Sequence, residues 1–240
     1  MPAAGRELMR EVELRHAGAL VTETFRTRAR RPELRFQLFC KRVFDIAGSA
    51  TLLVLTAPLI AGGALATVLS SPGNPFFAAK RWGADDRLFR CFKLRTMHVD
   101  QEAILARHGL SDRGAEGRLL VFDRDPRITP VGSFLRKTSI DELPQFWNVL
   151  CGEMSLIGPR PLSPYMLEDY PGIRSARGVM RPGISGLWQV RNRMKNASVL
   201  DMLEDDGEYL ATFDLWLDLK ILLATFPRIV EPGVATGGSR

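Results

Sequence analysis

Ile46-Ala-Gly-Ser-Ala-Thr-Leu-Leu-Val-Leu-Thr-Ala-Pro-Leu-Ile-Ala-Gly-Gly-Ala-Leu-Ala-Thr-Val-Leu69 carries no charged residue, and its reading decides how the rest of the chain is placed. As a straight helix it would reach roughly 36 Å at 1.5 Å per residue, enough to cross the hydrocarbon core of a bilayer. An ordinary transmembrane helix is therefore one reading. Two features favour another. Pro58 stands near the middle, where it removes a backbone hydrogen bond and kinks a helix; Ser49 can help satisfy the backbone near the start. Both flanks are also basic: Arg26, Arg28, Arg30, Arg31, Arg35, Lys41 and Arg42 precede the stretch, and Lys80, Arg81, Arg87, Arg90, Lys93 and Arg95 follow it. A spanning helix shows a one-sided excess of positive charge. The basic flanks point instead to a re-entrant helix, residues 41–75, that enters, bends at Pro58 and returns to the face it came from.

Upstream, residues 1–40 read as an N-terminal extension, loosely amphipathic over the first 25 and without the apolar run of a signal peptide. Downstream, Phe76 to Met97 reads as a β-hairpin turning at Gly83-Ala-Asp-Asp. In its second half Phe89, Cys91, Lys93 and Arg95 share a face, a mixture of apolar and basic residues unusual for a buried strand. Asp100 is placed to cap a short helix ending near Arg107. Residues 109–117 are polar and Gly-rich, a surface loop, and residues 231–240 read as a flexible tail. These elements predict an α+β chain, mainly helical, with one short hairpin.

Composition narrows the functions. A chain of 240 residues, 45% hydrophobic, buries a full core as one domain. Cys40, Cys91 and Cys151 are odd in number, far apart and without a CxxC pair, which argues against a disulfide framework and a thiolate zinc site. With His16, His98 and His108 as the only histidines, chemistry needing several is disfavoured. The net charge of +6 and a pI near 9.6 ask for an anionic partner: nucleic acid, an anionic membrane or a phosphorylated substrate.

The unusual polar residues concentrate between 122 and 162. Thr138-Ser139 precede Asp141-Glu142, and an apolar run follows. Ser139 with Glu142 fits a capping box at a helix start, although Pro144 argues for a slightly later one. A helix start of this kind suits phosphate, and Arg136 and Lys137 lie just upstream. Alone, an Asp-Glu pair there merely complements the helix dipole, and Gly158-Pro-Arg-Pro is merely a rigid loop. Their order and number carry the inference.

The chain resembles the bacterial sugar transferase family, the monotopic phosphoglycosyl transferases, from about Lys41 to Phe226. The resemblance rests on Lys41-Arg42, Phe44-Asp45, the Ser49 and Pro58 pair, Lys93-Leu-Arg-Thr-Met97 and Asp125-Pro-Arg-Ile-Thr-Pro. It continues in Leu135-Arg-Lys-Thr-Ser-Ile-Asp-Glu-Leu-Pro-Gln145, Gly152-Glu-Met-Ser-Leu-Ile-Gly-Pro-Arg-Pro161, Arg181-Pro-Gly-Ile-Ser-Gly-Leu-Trp-Gln189 and Leu215-Trp-Leu-Asp-Leu-Lys-Ile-Leu-Leu223. It implies a small catalytic region over residues 76–230, continuous with the re-entrant helix and carrying amphipathic interfacial helices. It implies Asp141 as nucleophile, Glu142 as second catalytic residue and Mg²⁺ ligand, and Arg136, Lys93, Arg95 and Arg160 as phosphate-binding residues. The implied reaction moves a sugar phosphate from a UDP-sugar to a polyprenyl (undecaprenyl) phosphate in surface glycan assembly. It would run at the cytosolic face of a bacterial inner membrane, with membrane lipid as neighbour. A homo-oligomer is compatible with the sequence. The chain departs from the family's usual Gln at Ala79, Ser at Thr96 and Trp-Ser at Phe213-Asp214, which touches sugar preference and the site mouth rather than the proposed nucleophile. Two other functions compete. A non-catalytic membrane adaptor conflicts with the intact Asp141-Glu142 pair, and a nucleic-acid binder lacks a recognition motif and leaves the apolar stretch without a role. No nucleic-acid partner is expected.

Overall fold

The computed structural model describes residues 18–109, 125–167, 171–192 and 199–230. The expected loop at 109–117 and tail at 231–240 fall almost wholly outside these residues, as does the first half of the N-terminal extension. The chain is mostly helical, as predicted, with two small sheets. After a helical stretch at 18–29, α1 runs from Pro32 to Ser70, and Pro32 at its first turn suits a helix start. The hairpin follows as β1 (Phe76–Trp82) and β2 (Leu88–Leu94), joined by a 3₁₀ turn at Ala84–Asp86. Then come α2 (Gln101–Arg107), α3 (Pro130–Lys137), a 3₁₀ turn at Ile140–Glu142, α4 (Gln145–Cys151) and β3 (Ser155–Ile157). A further 3₁₀ turn (Pro164–Met166), α5 (Pro171–Arg177), β4 (Gly183–Ser185), α6 (Leu187–Asn192), α7 (Val199–Thr212) and α8 (Leu215–Val230) complete the order.

The hairpin is antiparallel with Phe76 opposite Leu94 and Trp82 opposite Leu88, so the turn lies where Gly83-Ala-Asp-Asp placed it. Sequence reading did not anticipate the second sheet, a parallel pair of β3 and β4 three residues long. Non-local pairs this short have no pattern of their own. The extension is not separate from the core either. Phe25 is buried against Phe213, and the Arg28 guanidinium donates to the carbonyls of Ala211 and Phe213. The expected helix start at residue 41 lies inside α1, nine residues past its first residue.

α1 holds the body at both ends. At its N-terminal half, Lys41 is buried and pairs with Asp218 of α8 at 2.6 Å while donating to the Ile157 carbonyl at 2.8 Å. Arg42 donates to the carbonyls of Val149 and Leu150 at the end of α4. Asp45 accepts from Ser155 Oγ and from the Leu156 amide. Near its C-terminal end Gly63 and Thr67 are buried, and Arg95 ties Ser71. Between them Val54, Leu55 and Leu59 stand exposed. Only 11% of the helix's most apolar window is buried. A soluble core helix of this composition would be mostly covered, so the exposure of α1 is consistent with membrane association. The helix is continuous through Pro58, and Ser49 Oγ bonds back to the Ile46 carbonyl.

α8 divides its faces. Asp218 and Ile221 point into the core, whereas Trp216, Leu219 and Leu223 are exposed. One side of this element is thus packed into the core, and the other is left open.

Candidate active site

Asp141 and Glu142 sit on the 3₁₀ turn between α3 and α4. The turn follows from Ser139, whose φ of 57° is left-handed and reverses the chain after α3. Ser139 therefore makes no cap hydrogen bond, which corrects the expected capping box; α4 begins later, at Gln145 behind Pro144. The carboxylates are presented by a turn rather than by a helix start.

α3 is placed by a close approach. At Gly132 a Cβ would stand 1.9 Å from the Thr96 carbonyl oxygen, so only glycine fits. Thr129 caps the helix by accepting from the Gly132 amide at 2.8 Å. This contact brings Arg136, in the last turn, beside β2, where its Nε donates to Thr96 Oγ1 at 2.8 Å. Thr96 supplies the hydroxyl this bond needs. Asp125 and Arg127 form a paired brace nearby, Nη2 to Oδ2 at 2.7 Å. Burial raises the Asp125 carboxyl, but the Arg127 hydrogen bonds outweigh it and hold it below its ordinary range.

Asp141 is 5% exposed, and its Oδ1 is buried without a hydrogen-bond partner among the described residues. Burial pushes its carboxyl up to about 7; the Glu142 carboxylate adds to the rise, and Lys93 and Arg136 oppose it. Glu142 accepts from Lys93 Nζ at 2.6 Å. Arg136 is held below its ordinary range by burial, with Asp141 the largest opposing charge. Asp141, Glu142, Lys93 and Arg136 thus form one cluster. The other two predicted phosphate residues lie elsewhere. The Arg95 guanidinium is occupied by Ser71, Asn74 and the Met97 carbonyl at the end of α1. The Arg160 guanidinium lies over the Trp188 ring, 5.4 Å from its centroid. Ser49 and Pro58 are in α1, and Gly63 of the same helix packs under the turn: a Cβ there would meet Leu94, Leu135 and Ile140.

No cluster of three or more His, Cys, Asp or Glu side chains occurs among the described residues. A hard cation held by one or two carboxylates together with substrate phosphate is a different mode, and the orphaned Asp141 Oδ1 beside Glu142 fits it.

Residues 36–232 match the model of the family described as bacterial sugar transferase. The chain belongs to this family. It is 40% identical over 198 residues to a UDP-glucose:undecaprenyl-phosphate glucose-1-phosphate transferase of Caulobacter vibrioides, covering 79% of this chain and 69% of that protein. It is 38% identical over 188 residues to the galactosyl transferase CpsE of Streptococcus agalactiae serotype III, covering 78% and 41%. It is 35% identical to the exopolysaccharide production protein ExoY of Rhizobium meliloti, covering 79% and 84%. The match spans about two fifths of the length of CpsE and of a UDP-galactose-lipid carrier transferase of Erwinia amylovora. Sequence reading took Thr96 only as a departure from the family and Arg81 only as part of a basic flank; pairing the hairpin strands puts Arg81 on the Lys93 face.

Proposed function

We propose that the chain transfers a sugar 1-phosphate from a UDP-sugar to a membrane polyprenyl phosphate, releasing UMP. The supporting observation is the buried Asp141 carboxylate, with one oxygen unengaged, set among Lys93, Glu142 and Arg136 on a turn packed against the apolar helix α1. The names of its relatives agree with these substrates. Asp141 Oδ1 attacks the phosphorus bearing the sugar, and the bond from that phosphorus to the bridging oxygen breaks, so UMP leaves with the electron pair. A polyprenyl phosphate oxygen then attacks the same phosphorus and the Asp141 carboxylate departs, leaving polyprenyl-diphospho-sugar. Splitting the exchange lets one anion leave before the next arrives. Arg136, fixed by Thr96, is placed to neutralise phosphate oxygens with its planar fork. Lys93 holds the Glu142 carboxylate in position. When bound, Mg²⁺ on Glu142 and the diphosphate would offset the charge that develops on the leaving group.

The same reading makes α1 re-entrant, with the site on the cytosolic face of a bacterial inner membrane. The apolar middle enters the bilayer while both helix ends hold the body that carries Asp141. A soluble donor and a bilayer-bound acceptor then meet at one level. The test is a UMP-release screen over a UDP-sugar panel with polyprenyl phosphate, Mg²⁺ and the detergent-purified chain. Turnover that EDTA abolishes and Mg²⁺ restores is expected; no UMP from any donor would overturn the assignment.

A further inference from the structure

Lys93 does not stand alone on its face of the hairpin. The register sets Phe77 opposite Lys93, Ala79 opposite Cys91 and Arg81 opposite Phe89, so Lys93, Cys91, Ala79 and Arg81 share one side. Arg81 lies four residues along the ladder from the Lys93 pair, about 13 Å at roughly 3.3 Å per residue. Between the two cations the floor is small and buried: Ala79 is 7% and Cys91 1% exposed. The Cys91 thiol is pushed up to about 11 by burial, with Lys93 and Arg81 opposing, so this floor is neutral.

The far end of the face is built around two arginines. Arg81 Nη1 donates to Ser163 Oγ, and the Trp82 amide donates to the Leu162 carbonyl, locking β1 to the loop after Arg160. Arg160 lies over Trp188, and its own carbonyl accepts from Arg177, which Asp206 holds in a buried pair. Both side chains are therefore oriented. Arg81 is held below its ordinary range by burial, and among the charges around it Arg160 presses the same way while Cys91, Tyr165 and Glu142 oppose. Neither Arg81 nor Arg160 has an ion-pair partner among the described residues, whereas Arg127, Arg174, Arg177 and Arg191 each have one. Two half-buried guanidiniums at one loop, neither in an ion pair among the described residues, suit an anion. Tyr165, 42% exposed, supplies an aromatic surface at the same end.

We propose that Arg81 and Arg160 bind the phosphate of the departing nucleoside monophosphate, with its base against Tyr165. The proposal rests on the donor reading above and gives the donor a direction. The nucleotide half lies along the hairpin face toward Ser163, and the sugar-bearing phosphorus lies at Asp141. Arg81 then serves the loading step, in which the nucleotide is present, and not the discharge step, in which it has left.

The experiment uses the full chain in detergent. UMP and inorganic phosphate are titrated separately into wild type, Arg81→Ala, Arg81→Lys and Tyr165→Ala, each checked for unchanged thermal melting. Arg81→Ala should weaken UMP roughly tenfold or more, the loss of a charge-assisted contact. Arg81→Lys should fall between, and guards against a fold defect in the alanine variant. Tyr165→Ala should weaken UMP and leave inorganic phosphate unchanged. Covalently loaded protein, prepared with excess donor, is then chased with polyprenyl phosphate. Discharge from Arg81→Ala should match wild type within about twofold. UMP affinity unchanged in Arg81→Ala, or loading and discharge slowed alike, overturns the proposal. Failure of wild type to load from any UDP-sugar overturns the donor reading instead, and the UMP titration still decides the site.

Discussion

At Asp141 the chain keeps a carboxylate where burial opposes its charge. Its folded carboxyl lies at about 7 against an ordinary 3.8, so the unfolded chain gives up that proton more readily. The contribution to stability is fully present below pH 3.8, is lost as pH rises through 7, and stays lost above it. Asp141→Asn removes this dependence. In metal-free protein the variant should melt higher than wild type above pH 7, by roughly 1–3 kcal/mol, and the gain should vanish near pH 4. The same variant should carry no sugar-phosphate adduct by intact-protein mass spectrometry after a short incubation with donor alone. Glu142→Gln should retain some adduct at raised Mg²⁺. An adduct on Asp141→Asn would show the nucleophile to be misassigned. Sequence pattern placed Asp141 and Glu142 together in an unusual polar stretch, and the family resemblance gave them their roles. It could not show Ser139 in the left-handed region, because a capping box and a 3₁₀ turn use the same letters. Nor could it show Arg95 turned to Ser71, since strand alternation says which face a residue takes only while the strand lasts, and β2 ends at Leu94.

Among the elements, α1 and the turn it supports are coupled through Gly63. A Cβ there would lie 2.8 Å from Leu94, 3.4 Å from Leu135 and 3.5 Å from Ile140, whereas at Gly62 nothing stands within 4 Å. Gly63→Val should therefore displace Ile140 and its neighbour Asp141, lowering adduct formation by roughly tenfold or more, and Gly62→Val should leave it near wild type. Equal effects at both positions would refute the coupling. A second tie joins α1 to α8. Tyr209 donates to Asp218 Oδ1 at 2.7 Å while Lys41 holds Oδ2, and burial raises the Asp218 carboxyl against the pull of Lys41. Lys41→Met leaves that carboxylate buried and unpaired, and should cost about 3–5 kcal/mol in melting experiments. Adding Asp218→Asn should recover part of the loss, because the amide oxygen still accepts from Tyr209. The hairpin and α8 were legible from turn residues and amphipathic spacing. The buried Lys41 was not: it reads as one more member of a basic flank, and only contact with a segment 177 residues away shows otherwise.

For the whole molecule, the arrangement of α1 predicts its topology. With the native cysteines replaced, single cysteines at Arg30 and Arg90 should be labelled only in opened cells, both from the cytosolic side. Opposite accessibility would establish a spanning helix. The fold class, the hairpin and the acidic pair could be read from a single chain because each depends on neighbours within a few residues. The parallel β3–β4 pair, the burial of Phe25 and the Arg81 end of the hairpin depend on distant segments meeting, which local patterns do not encode. That dependence also has a consequence in time. Phe25, Arg28 and Lys41 find their partners at Ala211, Phe213 and Asp218, so one segment is completed by another made 177 or more residues later. At about 5–20 residues per second, the apolar helix leaves the ribosome many seconds before α8 exists to cover Lys41. On the membrane reading, lipid would be its first shelter, and the body that Lys41 anchors would close around a helix already delivered there.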